Sequence, residues 1–425
     1  MISWLSQRLA PPVSSPVGEP RDLPLEGLRG LCAVLVMYAH IFAPAHWLDL
    51  DYAPSRRFWW FNSGSVAVLF FFVLSGYVIG VTVRTPATSG FVKGYLMRRL
   101  VRLVPINTVA VLLVWFLFPA IKGRSIWGSL CFLQNARPYF GGWSMPIIGN
   151  NYNLWSLNYE MVYYLAFLAI WRSAPRTGIL WAGTLVVGAA ATCVDGFPAI
   201  LSDYGCGALF WIAGLSVAWL TPRDRATGNW PSALLLLLII WPLDLLNKLV
   251  PAVLPAGMLA RGPASPVNRL DILPVCVWLL LAVTGRGRRW HRPLALVCLG
   301  WASLAVLGSA MTGDYFNGGL ATLIYAALVV VAWSLVNWAP TPTLLAKIAP
   351  LGLISFGLYA VSLPIEFSLS HQSILPSGTA GSFAVRVVVL VALSVGAAWI
   401  LERKLQPALR RIFIRKSARL TGGAL

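Results

Sequence analysis

Apolar stretches of about 17 to 25 residues recur along this chain from Leu23 to Leu401, each long enough to cross a bilayer core of about 30 Å as a helix. Hydrocarbon offers no water to backbone N–H and C=O groups, so such segments have to satisfy their own hydrogen bonds, and helices do this. Twelve segments qualify, near 23–45, 63–83, 103–120, 154–171, 178–194, 204–220, 232–249, 271–285, 294–312, 318–337, 350–369 and 382–401. The one at 271–285 is short, and 178–194 can pair with 204–220 as a hairpin. The expected fold is therefore an all-α polytopic transmembrane helical bundle of about 10–12 spans. At 58% hydrophobic and 11% charged, the chain leaves no room for a separate soluble domain. Its expected organisation is a cytoplasmic N-terminal segment at 1–22, a transmembrane domain at 23–401 and a basic cytoplasmic tail at 402–425.

A net charge of +19 raises the question of nucleic acid, and the placement of the charge answers it. With the N-terminus in the cytoplasm, 23 of the 33 Lys and Arg fall in inner segments, seven in outer loops and three within spans. That bias is the positive-inside pattern, so the basic excess reports topology and no nucleic-acid partner is expected. It also favours an even number of spans with both termini cytoplasmic, in a membrane expected to be the bacterial inner membrane. The tail beyond Glu402 is expected to lie against anionic lipid. The first 22 residues carry Pro11, Pro12 and Pro16 and no apolar core before a small-residue cleavage site, so no cleaved signal peptide is expected. Six scattered Cys form no CxxC or Cys/His cluster, and no metal is expected.

Ionisable residues within such spans are costly unless they face protein or a wet cavity, which makes them site candidates. On the first span Arg29 and His40 are eleven residues apart, three turns plus about 20°, so both lie on one face with an axial separation of about 16 Å. Glu26 lies three residues before Arg29 and within about 40° of the same line, close enough to pair with it. The fourth span opens Trp155-Ser156-Leu157-Asn158-Tyr159-Glu160 and runs inward, which sets Glu160 at a depth of about 8 Å, near that of His40. Glu160 is expected to orient His40 and stabilise its imidazolium.

Before the third span, Arg98 and Arg102 are i,i+4 neighbours with Arg99 beside them, three guanidiniums suited to phosphate. Taken alone the cluster is also what a positive-inside anchor looks like. Ser75 and Gly76 on the second span are small enough for close helix approach, a packing role preferred over a nucleophilic one for Ser75. The longest outer stretch, Ile121 to Asn153, carries aromatics and the amides Asn150, Asn151 and Asn153. These suit sugar recognition, but the plainer explanation is an interfacial aromatic belt with turns. In the other outer stretch, Trp47 to Asn62, Asp49, Asp51, Arg56 and Arg57 are expected to compensate one another at the surface.

Leu25-Glu26-Gly27-Leu28-Arg29-Gly30 with His40, Phe70 to Tyr77 with its Leu-Ser-Gly, Arg98 to Pro105, and Trp155-Ser156-Leu157 with Glu160 follow one another in an order that resembles the membrane acyltransferase 3 family. Ile354-Ser355-Phe356-Gly357-Leu358-Tyr359 and Leu401-Glu402-Arg403-Lys404 are weaker echoes. The resemblance implies acyl transfer from cytoplasmic acyl-CoA, usually acetyl-CoA, to a hydroxyl of a polysaccharide, lipid-linked sugar or other glycoconjugate. It implies that Arg29 and His40 form the functional pair and that Arg98, Arg99 and Arg102 bind the donor. His40, Glu160 and Arg29 are thus the expected catalytic residues, supported by Glu26, Ser75, Trp155 and Ser156. Two departures stand out: Ser362 occupies a position where relatives often carry His, and Glu26 one where Asp is common. No hydrolase-like domain is expected after the last span, so transfer would finish in the membrane domain or on a separate partner. The rival classes are a proton-coupled secondary transporter or exporter, in which the same ionisable groups form a relay, and a noncatalytic membrane assembly subunit.

Overall fold

In a computed structural model, residues 5–11, 22–42, 47–55, 58, 64–83, 87–118, 123–135, 145–149, 151–194, 197–221, 270, 272–287, 289–290, 293–294, 296–298, 300 and 341–412 are described. Among them the secondary structure is helical apart from two two-residue strands and an isolated bridge. In chain order the helices are α1 (Leu23–Ile41), α2 (Gly64–Thr82), α3 (Ser89–Leu117), α4 (Gly123–Leu130), α5 (Trp155–Ser173), α6 (Thr177–Cys193) and α7 (Ala199–Leu220). They continue with α8 (Leu273–Thr284), α9 (Thr341–Gly352), α10 (Ser355–Ser370) and α11 (Ala380–Ile400). Strands β1 (Gln134–Asn135) and β2 (Met145–Pro146) pair in parallel.

Among the described residues, α2, α3, α7 and α11 with its continuation to Ile412 are long and apolar enough to cross a membrane. Helices α9 and α10, bent by 62° at a break at 353–354, pass the same test only as a pair, the pattern of a broken span or a re-entrant loop. The chain is a helical membrane protein, as its apolar periodicity requires. The segments expected at 232–249 and 318–337, and most of 294–312, lie outside the described residues. The third span is longer than expected: α3 starts at Ser89 and carries the Arg98 to Arg102 motif as helix, because nothing between Thr88 and Pro105 breaks it. The short segment at 271–285 forms the 12-residue α8.

Local chemistry sets the helix starts. Asp22 accepts a hydrogen bond from the Leu25 amide at 3.2 Å, capping α1, and Pro24 sits in the first turn, where its missing N–H costs nothing. Thr379 and Ser382 form a reciprocal capping box at the start of α11. The start of α10 is capped from a distance: Glu402, in the π-helical turn Leu401–Leu405 that continues α11, accepts from the Gly357 amide at 2.6 Å. That amide is one of the donors a helix start leaves orphaned. The two weaker sequence echoes, around Ser355 to Tyr359 and Glu402, therefore meet.

The chain divides into two compact units. The first comprises Met1–Ala39, Arg56–Ala87 and Leu165–Ala349, and the second His40–Ser55, Thr88–Tyr164 and Pro350–Leu425. The division falls within α1, after Ala39, and within α5, after Tyr164. In the first unit α2 packs along α7, and α7 in turn along α6. The α2–α7 approach brings backbone against backbone: a Cβ on Gly76 would lie 1.9 Å from the Trp211 carbonyl oxygen, and one on Gly214 would lie 1.9 Å from that of Val73. Gly76 thus has the packing role that its size suggests. Where α2 and α7 end, Arg286 is buried and donates to the Tyr77 hydroxyl at 2.9 Å and the Thr221 carbonyl at 2.7 Å.

In the second unit α10 packs against α3 and α11. Pro364 lies inside α10, and with no N–H it leaves the Ala360 carbonyl without its helical donor. The Asn151 side-chain amide supplies that donor at 3.1 Å, and the Asn153 amide bonds the preceding carbonyl, of Tyr359, at 2.8 Å. These two asparagines, candidates for sugar recognition on their outer-loop position, are buried and committed to the backbone of α10. Gln134 likewise donates to the Leu154 carbonyl at 2.7 Å and Asn158 to that of Phe132 at 2.6 Å, fastening the segment after α4 to the start of α5.

Asn151→Ala is expected to cost about 1–3 kcal/mol of stability, the penalty for a buried carbonyl left unpaired. In a Pro364→Ala background, where residue 364 again donates to Ala360, the same substitution should cost much less. Denaturation of the four proteins of this double-mutant cycle in detergent checks the coupling.

Candidate active site

The Arg29 and Glu26 side chains are close to each other on α1, as their spacing requires. The guanidinium stands 3.1 Å from the carboxylate, and both groups are largely shielded from solvent. This pair belongs to the first unit, as does Ser75, which is half-buried on α2. His40, Trp155, Ser156, Glu160, Arg98, Arg99 and Arg102 all belong to the second.

His40 lies in the last turn of α1, and the Trp47 ring lies against its imidazole. Its centroid lies 5.7 Å from that of Trp47, which in turn lies 5.5 Å from Phe367 and stacks on Tyr152 at 6.2 Å. The His40 Nδ1 is buried and has no hydrogen-bond partner among the described residues. The segment carrying Trp47 is itself clamped. Asp49, fully buried, accepts from the Gly378 amide at 3.2 Å and the Asp51 amide at 3.1 Å, and lies 3.9 Å from the Arg386 guanidinium. Arg386 also donates to the carbonyls of Leu369, Gln372, Leu375 and Pro376. The expectation of mutually compensating surface charge in this stretch fails for Asp49, whose partner comes from α11 more than 300 residues away.

Glu160 has a different partner from the one expected. It accepts a hydrogen bond from the Tyr164 hydroxyl one turn later, and among the described residues no hydrogen bond or ion pair joins it to His40. The Tyr164 ring also stacks on the Arg99 guanidinium at 5.3 Å, with Tyr95 on that cation at 5.4 Å and its hydroxyl donating to the Tyr164 carbonyl at 3.2 Å. Arg99 and Glu160, singled out for separate roles, are thus two ends of one aromatic-bridged network.

The basic motif consequently splits. Successive residues on a helix point about 100° apart, so Arg99 turns inward while Arg98 and Arg102 share another face. Arg98 is exposed and Arg102 half-buried. The Arg102 carbonyl accepts from Gln406 at 3.0 Å, which ties the motif to the start of the basic tail. The buried Ser156 bonds the Tyr359 hydroxyl at 2.7 Å, and the buried Trp155 meets Tyr159 edge-on at 5.1 Å.

Four residues of this neighbourhood were not singled out from the sequence: Tyr95, Tyr164, Trp47 and Glu366. For two of them a signal existed, since Tyr95 precedes Arg99 by four residues and Tyr164 follows Glu160 by four, the spacing of stacked side chains on a helix. Trp47 is brought to His40 by tertiary packing. Glu366 lies in α10 with Ser362 and Ser370 four residues to either side and no basic residue at that spacing.

A membrane-embedded helical protein with an Arg/His helix, a basic motif on its third helix and a Trp-Ser-Leu opening to its fifth is what a family of acyltransferases presents. The acyltransferase domain model of the acyltransferase 3 family matches residues 23–403, and the chain belongs to that family. Acyltransferase MdmB of Streptomyces mycarofaciens is 27% identical over 195 residues, 43% of this chain and 48% of that protein. The match thus spans about half of the relative's length. No solved structure matches.

Replacing Arg99 by Ala should destabilise the protein by about 1–3 kcal/mol, because two partly desolvated cation–π contacts are lost. Arg98→Ala at the exposed neighbouring position should change stability by no more than about 0.5 kcal/mol. Thermal unfolding of the two variants in detergent compares them.

Proposed function

We propose that the protein is an O-acyltransferase that moves an acyl group, acetyl foremost, from cytoplasmic acyl-CoA to a hydroxyl of a polysaccharide, lipid-linked sugar or other glycoconjugate at a bacterial inner membrane, with both termini cytoplasmic. The observation that carries this function is the half-buried His40, its imidazole against the Trp47 ring and its buried Nδ1 without a hydrogen-bond partner among the described residues. Family membership supports the reaction class. A neutral imidazole nitrogen has a lone pair that can take a hydroxyl proton.

In the proposed reaction His40 accepts the proton of the acceptor hydroxyl as its oxygen attacks the thioester carbonyl carbon. The carbon–sulfur bond then breaks, and the departing thiolate is protonated, leaving an oxygen ester and free coenzyme A. Arg29, held by Glu26, positions the donor within the membrane domain. Arg98 and Arg102 offer guanidiniums to the donor phosphates. Arg99 serves the donor site by fixing the motif's helix through Tyr95, Tyr164 and Glu160. Glu160 then acts by holding Tyr164 and Arg99 in place, a more direct use of its observed bond than orienting His40. Trp155 and Ser156 support the start of α5 beside Tyr359, and Ser75 supports the close α2 packing.

Acetyl transfer from labelled acetyl-CoA to alkali-labile ester in membranes containing the protein tests this function. His40→Ala should lower transfer by about 10² or more, the usual contribution of a general base, while coenzyme A binding persists. Full transfer by His40→Ala would end the mechanism. Arg98→Ala with Arg102→Ala should raise the donor KM by about tenfold or more, as expected for lost charge-assisted bonds, with insertion intact. Unchanged donor affinity would return this pair to a topological role.

A further inference from the structure

Glu366 and Ser362 are the least explained polar groups in the second unit. Both lie within α10, are 0% and 2% exposed, and their side-chain oxygens have no hydrogen-bond partner among the described residues. Four residues apart, they occupy one face of the helix about 6 Å from each other along its axis. A fully buried carboxylate without a donor is costly, and natural proteins keep such groups where a ligand completes them.

Their location indicates which ligand. Phe367, the residue after Glu366, packs on Trp47, and Trp47 packs on His40, so Glu366 stands at the His40 end of the unit. Glu160 is engaged elsewhere, with Tyr164 and Arg99. Tyr359, two turns before Glu366 on the same face, is already satisfied by Ser156. What remains unsatisfied on this face is one carboxyl with two acceptor oxygens and one hydroxyl able to donate or accept, next in sequence to Phe367, which packs on Trp47 and through it meets Tyr152. That is the complement of adjacent hydroxyls on a sugar ring, with rings for its CH surface.

Resting on the acyltransferase function proposed above, we infer that Glu366 and Ser362 bind the acceptor: the Glu366 carboxylate accepts hydrogen bonds from neighbouring sugar hydroxyls and Ser362 makes a third, holding the reactive hydroxyl toward His40. Glu366 is thus a substrate-binding residue that the family motifs quoted above do not include.

The test uses the full chain in membranes and, for binding and unfolding, purified in detergent, with labelled acetyl-CoA and coenzyme A as probes. Glu366→Gln should lower ester formation by about tenfold or more, the cost of charge-assisted bonds to substrate, and leave coenzyme A affinity unchanged. Without acceptor it should unfold at the same temperature as the natural protein or higher, because it removes an ionisable group that is buried without a partner. Glu366→Asp should recover part of the activity and Ser362→Ala lose part of it. A structural role predicts the reverse pattern, with Glu366→Gln less stable and its activity lost in proportion to folded protein. Natural-level ester formation by Glu366→Gln, or loss of coenzyme A binding with it, would overturn the inference. If Glu366→Gln does not fold, natural-level ester formation by Ser362→Ala overturns it instead. Absence of ester from the natural protein itself would overturn the acyltransferase function, an outcome seen before any substitution is made.

Discussion

The unpaired carbonyl that Pro364 leaves in α10 is the constraint around which the second unit is organised. A proline inside a soluble helix can hand its orphaned acceptor to water, but one in a membrane protein needs a donor from the protein. Asn151 and Asn153 are those donors, and by reaching α10 they fix where the segment before α5 lies. From that follow the burial of Trp155 and Ser156, the bond of Ser156 to Tyr359 and the place of Tyr152 beside Trp47. The same helix carries Phe367 to Trp47, and so to His40. One missing N–H thus accounts for much of what surrounds the proposed base.

Much of this was legible in the sequence because it depends on local spacing. The Glu26–Arg29 pair, the close approach at Gly76 and the helical face shared by Arg98 and Arg102 all follow from helical periodicity. Membrane embedding followed from segment length, and the family from motifs that keep their order along the chain. What could not be read are pairings across long separations. Asp49 reads as a surface acid because Arg56 and Arg57 are its neighbours in sequence, yet Arg386 is its neighbour in space. Glu160 seemed to need a histidine because carboxylates at depth need a partner, and nothing in the spacing ranked His40 below a tyrosine one turn away. Periodicity does place Tyr164 on the Glu160 face, one helical turn away.

The two ends of the second unit are held by different chemistry. Where His40 lies, aromatic faces and the buried Asp49–Arg386 contact set the geometry, whereas around Arg99 a cation between two rings does so. Both arrangements keep a formal charge away from hydrocarbon by surrounding it with carbonyls, amides or π faces. Glu366 is the exception among the described residues of this unit, a buried carboxyl whose two oxygens have no hydrogen-bond partner.

The cap that Glu402 places on α10 changes what the basic end of the chain means. Judged by composition, everything after Leu401 is lipid-facing tail, and a shortened or fused version of the protein would seem free to begin its foreign sequence there. Glu402 and Gln406 nevertheless close the start of α10 and the carbonyl of Arg102, so the helical domain extends through them. An engineered junction at the last apolar residue would cut into the scaffold of the basic motif, and a reporter attached that way would measure a damaged protein as if it were a topology.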